Sequence, residues 1–121
     1  MKKSILFIDD EPDILAVTTF RLKKLGYHIL LANNGKEGME IVRNECPSLI
    51  FLDLLMPEMD GYQFCKELKK DQRDKDIPII LFTAVEDLSV QKALKETGAQ
   101  GVLNKPYEPN ELLEMIKKFL P

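Results

Sequence analysis

The chain has few of the features that mark secreted, membrane-bound or metal-thiolate proteins. Its 121 residues include two cysteines, Cys46 and Cys65, which are far apart and have no C-x-x-C spacing. We therefore predict two reduced, partly buried thiols rather than a disulfide or a metal pair. The apolar run Ile5–Ile8 is too short for a secretory signal core of about 7–15 residues. No segment approaches the ~20 apolar residues of a membrane span, so we expect a cytoplasmic protein without membrane insertion.

The charge pattern argues against a nucleic-acid-binding surface. The net charge is −3, and the 17 Lys and Arg residues are spread among 20 Asp and Glu residues without a basic block. Direct contact with nucleic acid is therefore not expected. With 45% hydrophobic and 31% charged residues, and neither repeats nor linker-like stretches, residues 1–121 read as one globular domain. That domain is either a whole protein or one unit of a longer one.

Short apolar runs alternate with stretches of helical periodicity along the whole chain. The predicted strands are Ser4–Ile8, Tyr27–Ala32, Ser48–Leu52, Ile77–Phe82 and Gly101–Asn104. The helices between and after them begin near Pro12, Asn34, Gly61, Glu86 and Pro109. Such alternation implies right-handed crossovers and a parallel sheet covered on both faces. We predict an α/β fold with a flavodoxin-like, doubly wound, five-stranded parallel sheet of order 2-1-3-4-5 and five helices.

Residue spacing and capping residues predict a face and the end of the first helix and the start of the second. The first helix contains Ile14, Thr18, Leu22 and Leu25 at helical spacing, which predicts that they share one face of that helix. Gly26 is suited to ending that helix. Asn34 has a side chain suited to capping the second helix.

A residue suited to phosphoryl chemistry follows four of the predicted strands. Asp9 and Asp10 follow the first strand, and Asp53 follows the third. Thr83 follows the fourth strand and Lys105 the fifth. Each residue type is ordinary at a strand end when taken alone. Because parallel strands end at one edge of the sheet, however, the five side chains are expected to converge there.

Together these groups could bind a divalent cation and a phosphoryl group. In a 2-1-3-4-5 sheet the strand order reverses between strands one and three, which places Asp9 and Asp10 across a crevice from Asp53. Clustered carboxylate oxygens suit Mg²⁺, and a carboxylate can itself accept a phosphoryl group. Lys105 supplies a compact positive charge and Thr83 a hydroxyl donor for the phosphoryl oxygens.

Four motifs give the chain a family resemblance. They are Ile8–Pro12 (IDDEP), Asp53–Gly61 (DLLMPEMDG), Thr83–Ala84 and Lys105–Tyr107 (KPY). In this order and spacing the chain resembles, over essentially its whole length, the receiver domain of two-component response regulators, the chemotaxis regulators among them. The resemblance implies a phosphoacceptor in signal transduction that assists its own phosphorylation and dephosphorylation, rather than an enzyme acting on other substrates.

The resemblance also implies partners and residue roles. Asp53 would take its phosphoryl group from the phosphohistidine of a sensor histidine kinase or phosphotransfer protein. Thr83 and Lys105 would contact the phosphoryl oxygens, and a switched surface would bind a downstream output protein or domain. The implied Mg²⁺ ligands are the carboxylates of Asp9, Asp10 and Asp53 and the backbone carbonyl of Leu55.

Two features of this sequence bear on how it would work as a receiver domain. Receivers usually carry an aromatic residue three positions before the lysine, where this chain has Val102, and Tyr107 is not expected to replace it. Leu55 and Val85 occupy positions that flank the path of the attacking water in the family. Because neither side chain can orient water, we predict a long-lived phosphorylated state.

Three other functions fit a similar architecture. A receiver-like binding module could act without phosphorylation, although all acceptor residues are present. A Mg²⁺-dependent phosphatase with an aspartyl nucleophile would show a D-x-D motif and a cap insertion, whereas this chain has adjacent Asp9 and Asp10 and no such insertion. A flavodoxin-type carrier would need a loop that cradles phosphate, and the loop of residues 9–12 is too acidic.

Overall fold

The fold is an alternation of five strands and five helices. The computed structural model of the chain describes residues 3–9, 12–54, 61–83, 87–104 and 108–120. The strands are β1 (Ser4–Ile8), β2 (His28–Ala32), β3 (Leu49–Leu52), β4 (Ile79–Thr83) and β5 (Gly101–Asn104). The helices are α1 (Pro12–Lys24), α2 (Gly35–Glu45), α3 (Gly61–Lys70), α4 (Asp87–Thr97) and α5 (Pro109–Phe119).

The strands form one parallel sheet in the order β2-β1-β3-β4-β5, which confirms the predicted topology. The carboxyl ends of neighbouring strands lie level with one another. Ile8 at the end of β1 pairs with Leu52 at the end of β3. Thr83 at the end of β4 pairs with Asn104 at the end of β5. The residues that follow these strands therefore start from one edge of the sheet.

Alternate strand residues build a core on each face of the sheet. Ile5, Phe7, Leu49 and Phe51 pack with Leu22 of α1 and with residues of α5. Leu6, Ile8, Ile50 and Leu52 pack on the opposite face with residues of α2, α3 and α4. All eight strand side chains are fully buried. Burial on both faces explains why the strands read as continuous apolar runs.

The structure confirms the predicted cap of α2. The Asn34 side-chain oxygen accepts a hydrogen bond from the backbone N–H of Glu37 at 2.8 Å. The same helix ends at Cys46, which has a left-handed backbone with φ 48°. Within the described ranges, no helix is long and apolar enough to cross a membrane.

Two predictions about individual side chains are wrong. Leu25 does not share the buried face of α1, because the helix ends at Lys24 and Leu25 lies in the turn before Gly26, where its side chain is 56% exposed. Cys46 is exposed rather than partly buried, while Cys65 is buried, and both are free thiols. Strands β2, β3 and β4 also begin one or two residues later than predicted.

Candidate functional site

Asp9 and Asp53 lie side by side where β1 and β3 end. The backbone N–H of Asp9 donates to the carbonyl of Ala32 at 3.0 Å, and that of Asp53 donates to the carbonyl of Ile8 at 3.0 Å. Both residues thus extend the sheet ladder by one position beyond the strands. Adjacent strands are about 4.8 Å apart, so the two backbones are held at roughly that separation. The carboxylates therefore flank the predicted crevice between β1 and β3.

Both side chains are largely withdrawn from solvent. Asp9 is 1% exposed and Asp53 is 7% exposed. Two carboxylates held close together in a poorly solvated position repel each other, and a bound cation relieves that repulsion. Their oxygens are the donors that Mg²⁺ prefers. The donor set at this edge therefore fits a hard divalent cation.

The other predicted site residues are only partly described. Thr83 is the last residue of β4, so its backbone lies at the same sheet edge as Asp53. Asp10, Leu55 and Lys105 lie outside the described residues. Without Asp10, the described part of the chain contains no group of three or more His, Cys, Asp or Glu residues placed to hold a metal ion.

Three phenylalanines form a layer beneath the two carboxylates. Phe7 and Phe51 stand two residues before Asp9 and Asp53 on their strands, and their rings stack at 4.9 Å between centroids. Phe82, next to Thr83, meets both rings edge-on at 6.3 Å. All three side chains are fully buried. Because successive strand residues alternate between faces, Phe7 and Phe51 share a face of the sheet with the carboxylates. The three rings therefore form an apolar surface on the core side of the site.

Gly61, the first residue of α3, makes a close backbone contact beside Asp53. Its N–H donates to the carbonyl of Leu54 at 3.1 Å. A Cβ atom on Gly61 would lie 2.7 Å from the Leu54 Cα and 3.0 Å from the Asp53 carbonyl oxygen. The start of α3 is thus pressed against the main chain that carries Asp53.

A further buried carboxylate, Asp74, lies in the connection that leads into the start of β4. Its side chain is 1% exposed and accepts from Arg73 Nε at 3.0 Å and Nη2 at 3.2 Å. The hydrogen bonds and charge of Asp74 raise the pKa of the Arg73 guanidinium. Arg73 Nη2 also donates to the carbonyl of Arg43 at 3.1 Å. Asp74 therefore belongs to a structural ion pair that precedes the strand, whereas Thr83 and the candidate site come at the strand's other end.

The sequence predictions identified the two carboxylates but not the phenylalanines and the glycine that lie beside them. Phe7, Phe51 and Phe82 were assigned only as members of apolar strands, and Gly61 only as the start of a helix and the last residue of the Asp53–Gly61 motif. The spacing of Phe7 and Phe51, each two residues before an aspartate, could have indicated the shared face. No local signal could have revealed the contact between Gly61 and Leu54.

Comparisons with known proteins identify the family and the fold of the chain. A family model described as the response regulator receiver domain matches residues 5–117. Among proteins of known sequence, the chain is 41% identical over 119 residues to "Probable transcriptional regulator ycf27" of Porphyridium aerugineum, covering 98% of this chain and 48% of that protein. The chain thus spans about half the length of the curated relatives it matches.

Two solved structures share the fold over nearly the whole chain. The chemotaxis protein CheY4 of Vibrio cholerae is 28% identical with a TM-score of 0.91, and the match covers 99% of this chain and 100% of that one. The signal receiver domain of a signal transduction histidine kinase from Syntrophus aciditrophicus is 33% identical with a TM-score of 0.87. That match covers 98% of this chain and 89% of that one.

Proposed function

The chain belongs to the response regulator receiver domain family of two-component systems, and on that premise we propose that Asp53 accepts a phosphoryl group from a phosphohistidine. The donor would be a sensor histidine kinase or a phosphotransfer protein. The observation that carries the proposal is the pair of buried carboxylates, Asp53 at 7% exposure beside Asp9 at 1%. Such a pair offers carboxylate oxygens that suit a hard divalent cation, and a cation there also favours phosphoryl transfer.

In the proposed reaction a carboxylate oxygen of Asp53 attacks the phosphorus atom. A P–O bond forms while the P–N bond to the histidine ring breaks, and the ring nitrogen leaves with the electron pair. The buried layer of Phe7, Phe51 and Phe82 is proposed to limit the access of water to Asp53 from the core side. Thr83 and Lys105 are proposed to donate to the phosphoryl oxygens.

The proposed metal ligands are Asp9, Asp10, Asp53 and the backbone carbonyl of Leu55. When bound, Mg²⁺ neutralises charge on the phosphoryl oxygens. Asp9 contributes a buried carboxylate fixed by its backbone hydrogen bond to β2. We propose that it holds the cation beside Asp53 rather than accepting the phosphoryl group itself.

The proposed output surface is the face formed by α4, β5 and α5. Thr83 pairs with Asn104 across β4 and β5, so a shift at the site reaches this face through one strand pairing. Because Val102 has no ring to reorient, we propose a small backbone shift near residues 83–84. The relatives are transcriptional regulators about twice as long, which supports an output domain in a longer cytoplasmic protein. The net charge of −3 argues that this domain does not itself bind nucleic acid.

Intact-protein mass spectrometry after incubation with Mg²⁺ and acetyl phosphate tests the acceptor assignment. The wild-type protein should gain one phosphoryl group, and Asp53→Ala should gain none. Asp9→Asn should gain much less, because it removes cation-binding charge. Asp74→Asn is the matched control, since it alters an equally buried aspartate away from the site and should be phosphorylated like wild type. A mass gain that persists in Asp53→Ala or in excess chelator contradicts the assignment.

The same experiment separates the alternative functions. A wild-type protein that binds Mg²⁺ but never gains mass would indicate a module that acts without phosphorylation. Repeated turnover of a small phosphate ester would indicate a phosphatase.

Nuclear magnetic resonance tests the proposed output surface. Adding a phosphoryl mimic with Mg²⁺ should move backbone signals mainly in residues 83–90 and 101–107. Shifts confined to α1 and β2 would refute the proposed route.

A further inference from the structure

Gly61 makes a close contact with the backbone next to the proposed acceptor. A Cβ atom built on it would lie 2.7 Å from Leu54 Cα, 2.9 Å from Leu54 Cδ2 and 3.0 Å from the Asp53 carbonyl oxygen. Ordinary van der Waals contact begins at 3.4 Å. With any side chain at Gly61, the start of α3 and the Leu54 Cα must therefore separate by about 0.7 Å, the difference between these two distances.

Glycine is needed at this position because a side chain would not fit, not because the backbone requires a positive φ. The glycines with positive φ are Gly26 and Gly98 among the described residues. The backbone conformation of Gly61 is thus open to any L-residue, and alanine would suit a helix start better than glycine. What excludes a side chain is the main chain of Leu54 and Asp53.

We propose that Gly61 is a positioning residue for phosphoryl acceptance. Its bare Cα lets α3 rest on the backbone of Leu54, and its N–H fixes the Leu54 carbonyl at 3.1 Å. Leu54 joins Asp53, the proposed acceptor, to Leu55, whose carbonyl is a proposed metal ligand. This inference rests on the proposed function, because it concerns the placement of those two groups.

The core around the Leu54 side chain resists movement, so a displaced Leu54 backbone would move towards the proposed site. The Leu54 side chain is 1% exposed and packs in the core on the α2, α3 and α4 side of the sheet. Close-packed interiors do not yield easily to added volume. A Cβ at Gly61 is therefore relieved mainly by moving the backbone around Asp53. A misplacement of about 1 Å can lower a reaction rate by roughly 10²-fold.

Gly38 of α2 provides a matched control. It is also a buried helix glycine, and a Cβ there would lie 2.5 Å from Ile8 Cδ1 and 3.2 Å from Phe64 Cε2. These atoms, and Ile8 Cγ1 at 3.1 Å, all belong to side chains. Gly38→Ala should thus crowd side chains in the core, whereas Gly61→Ala crowds the main chain of Leu54 and Asp53 directly.

The test compares wild type, Gly61→Ala and Gly38→Ala at a temperature where all three are folded. Calorimetry gives the Mg²⁺ dissociation constant, and mass spectrometry gives the initial rate of phosphorylation by acetyl phosphate. We expect Gly61→Ala to bind Mg²⁺ about 10-fold or more weakly and to react more slowly by at least that factor. Gly38→Ala should stay within about twofold of wild type, even where its melting temperature falls. The proposal is overturned if both variants lose Mg²⁺ affinity and phosphorylation rate equally. It is also overturned if Gly61→Ala has the affinity and rate of wild type.

Further readouts separate this inference from the proposed function. If wild type binds Mg²⁺ without being phosphorylated, the proposed function fails, and the Mg²⁺ affinity of Gly61→Ala still decides the role of Gly61. If wild type neither binds Mg²⁺ nor reacts, both fail. If Gly61→Ala does not fold, hydrogen exchange of the wild-type Gly61 amide decides. Protection that increases on adding Mg²⁺ supports the proposal, and exchange at the rate of an exposed amide, or protection unchanged by Mg²⁺, overturns it.

Discussion

Burial of the Cys65 thiol should make the protein unusually sensitive to alkaline pH. Cys65 lies on α3, is 2% exposed and packs in the same core as Leu54. Burial raises the pKa of this thiol from 9.0 to about 12, and this effect outweighs the opposing positive charge of Lys69. In the unfolded chain the thiol ionises near 9, whereas in the folded protein it stays protonated to about 12.

The sign and size of the effect follow from proton linkage. Below pH 9 both states carry the proton, so Cys65 adds no pH dependence. Above pH 9 the unfolded state releases its proton first, and stability falls by about 1.4 kcal/mol per pH unit until the folded thiol ionises. Between pH 8 and pH 10.5 this single group should therefore remove about 2 kcal/mol from the free energy of unfolding.

Urea unfolding of wild type and Cys65→Ala at pH 8 and pH 10.5, under reducing conditions, measures that contribution. The alanine variant leaves a small cavity with a pH-independent cost of about 1 kcal/mol. The stability of wild type relative to Cys65→Ala should fall by about 2 kcal/mol between the two pH values. Cys46→Ala, which removes the exposed thiol, should instead follow wild type at both. A wild-type advantage over Cys65→Ala that stays constant with pH would refute the reasoning.

Three further predictions concern the acceptor, the thiols and a helix cap. Phospho-Asp53 should decay slowly in Mg²⁺, and the double variant Leu55→Asn, Val85→Glu should speed its decay; unchanged or slower decay would contradict the proposed water access. An aromatic disulfide reagent at pH 8 should label Cys46 rapidly and Cys65 only after unfolding, so equal labelling rates would count against the burial of Cys65. Asn34→Ala should cost about 1 kcal/mol in urea unfolding. Asn34→Asp, which keeps an acceptor for the Glu37 N–H, should cost much less, and equal losses would argue against the cap.

Several properties of this protein were determined by the sequence itself. The alternation of apolar runs and helical spacing predicted the parallel sheet, because strands buried on both faces must be apolar throughout. The predicted strand order, 2-1-3-4-5, is one of the common orders of doubly wound folds. Placing Asp9 and Asp53 at one sheet edge needed only the strand ends, which the sequence marks where apolar runs give way to aspartate. The roles of all the site residues remain predictions: Asp9, Asp10, Asp53, Leu55, Thr83 and Lys105.

Other properties depended on where each element ends and on how the helices pack on the sheet. The end of α1 at Lys24 turned Leu25 outward, although its spacing matched the buried face. Both cysteines were predicted to be partly buried, yet only Cys65 is buried, because α3 packs it against the sheet while Cys46 follows the last turn of α2. The contact between Gly61 and Leu54 exists because α3 returns to the end of β3. Such contacts are decided by the three-dimensional packing of helices on the sheet, which periodicity within one segment does not encode.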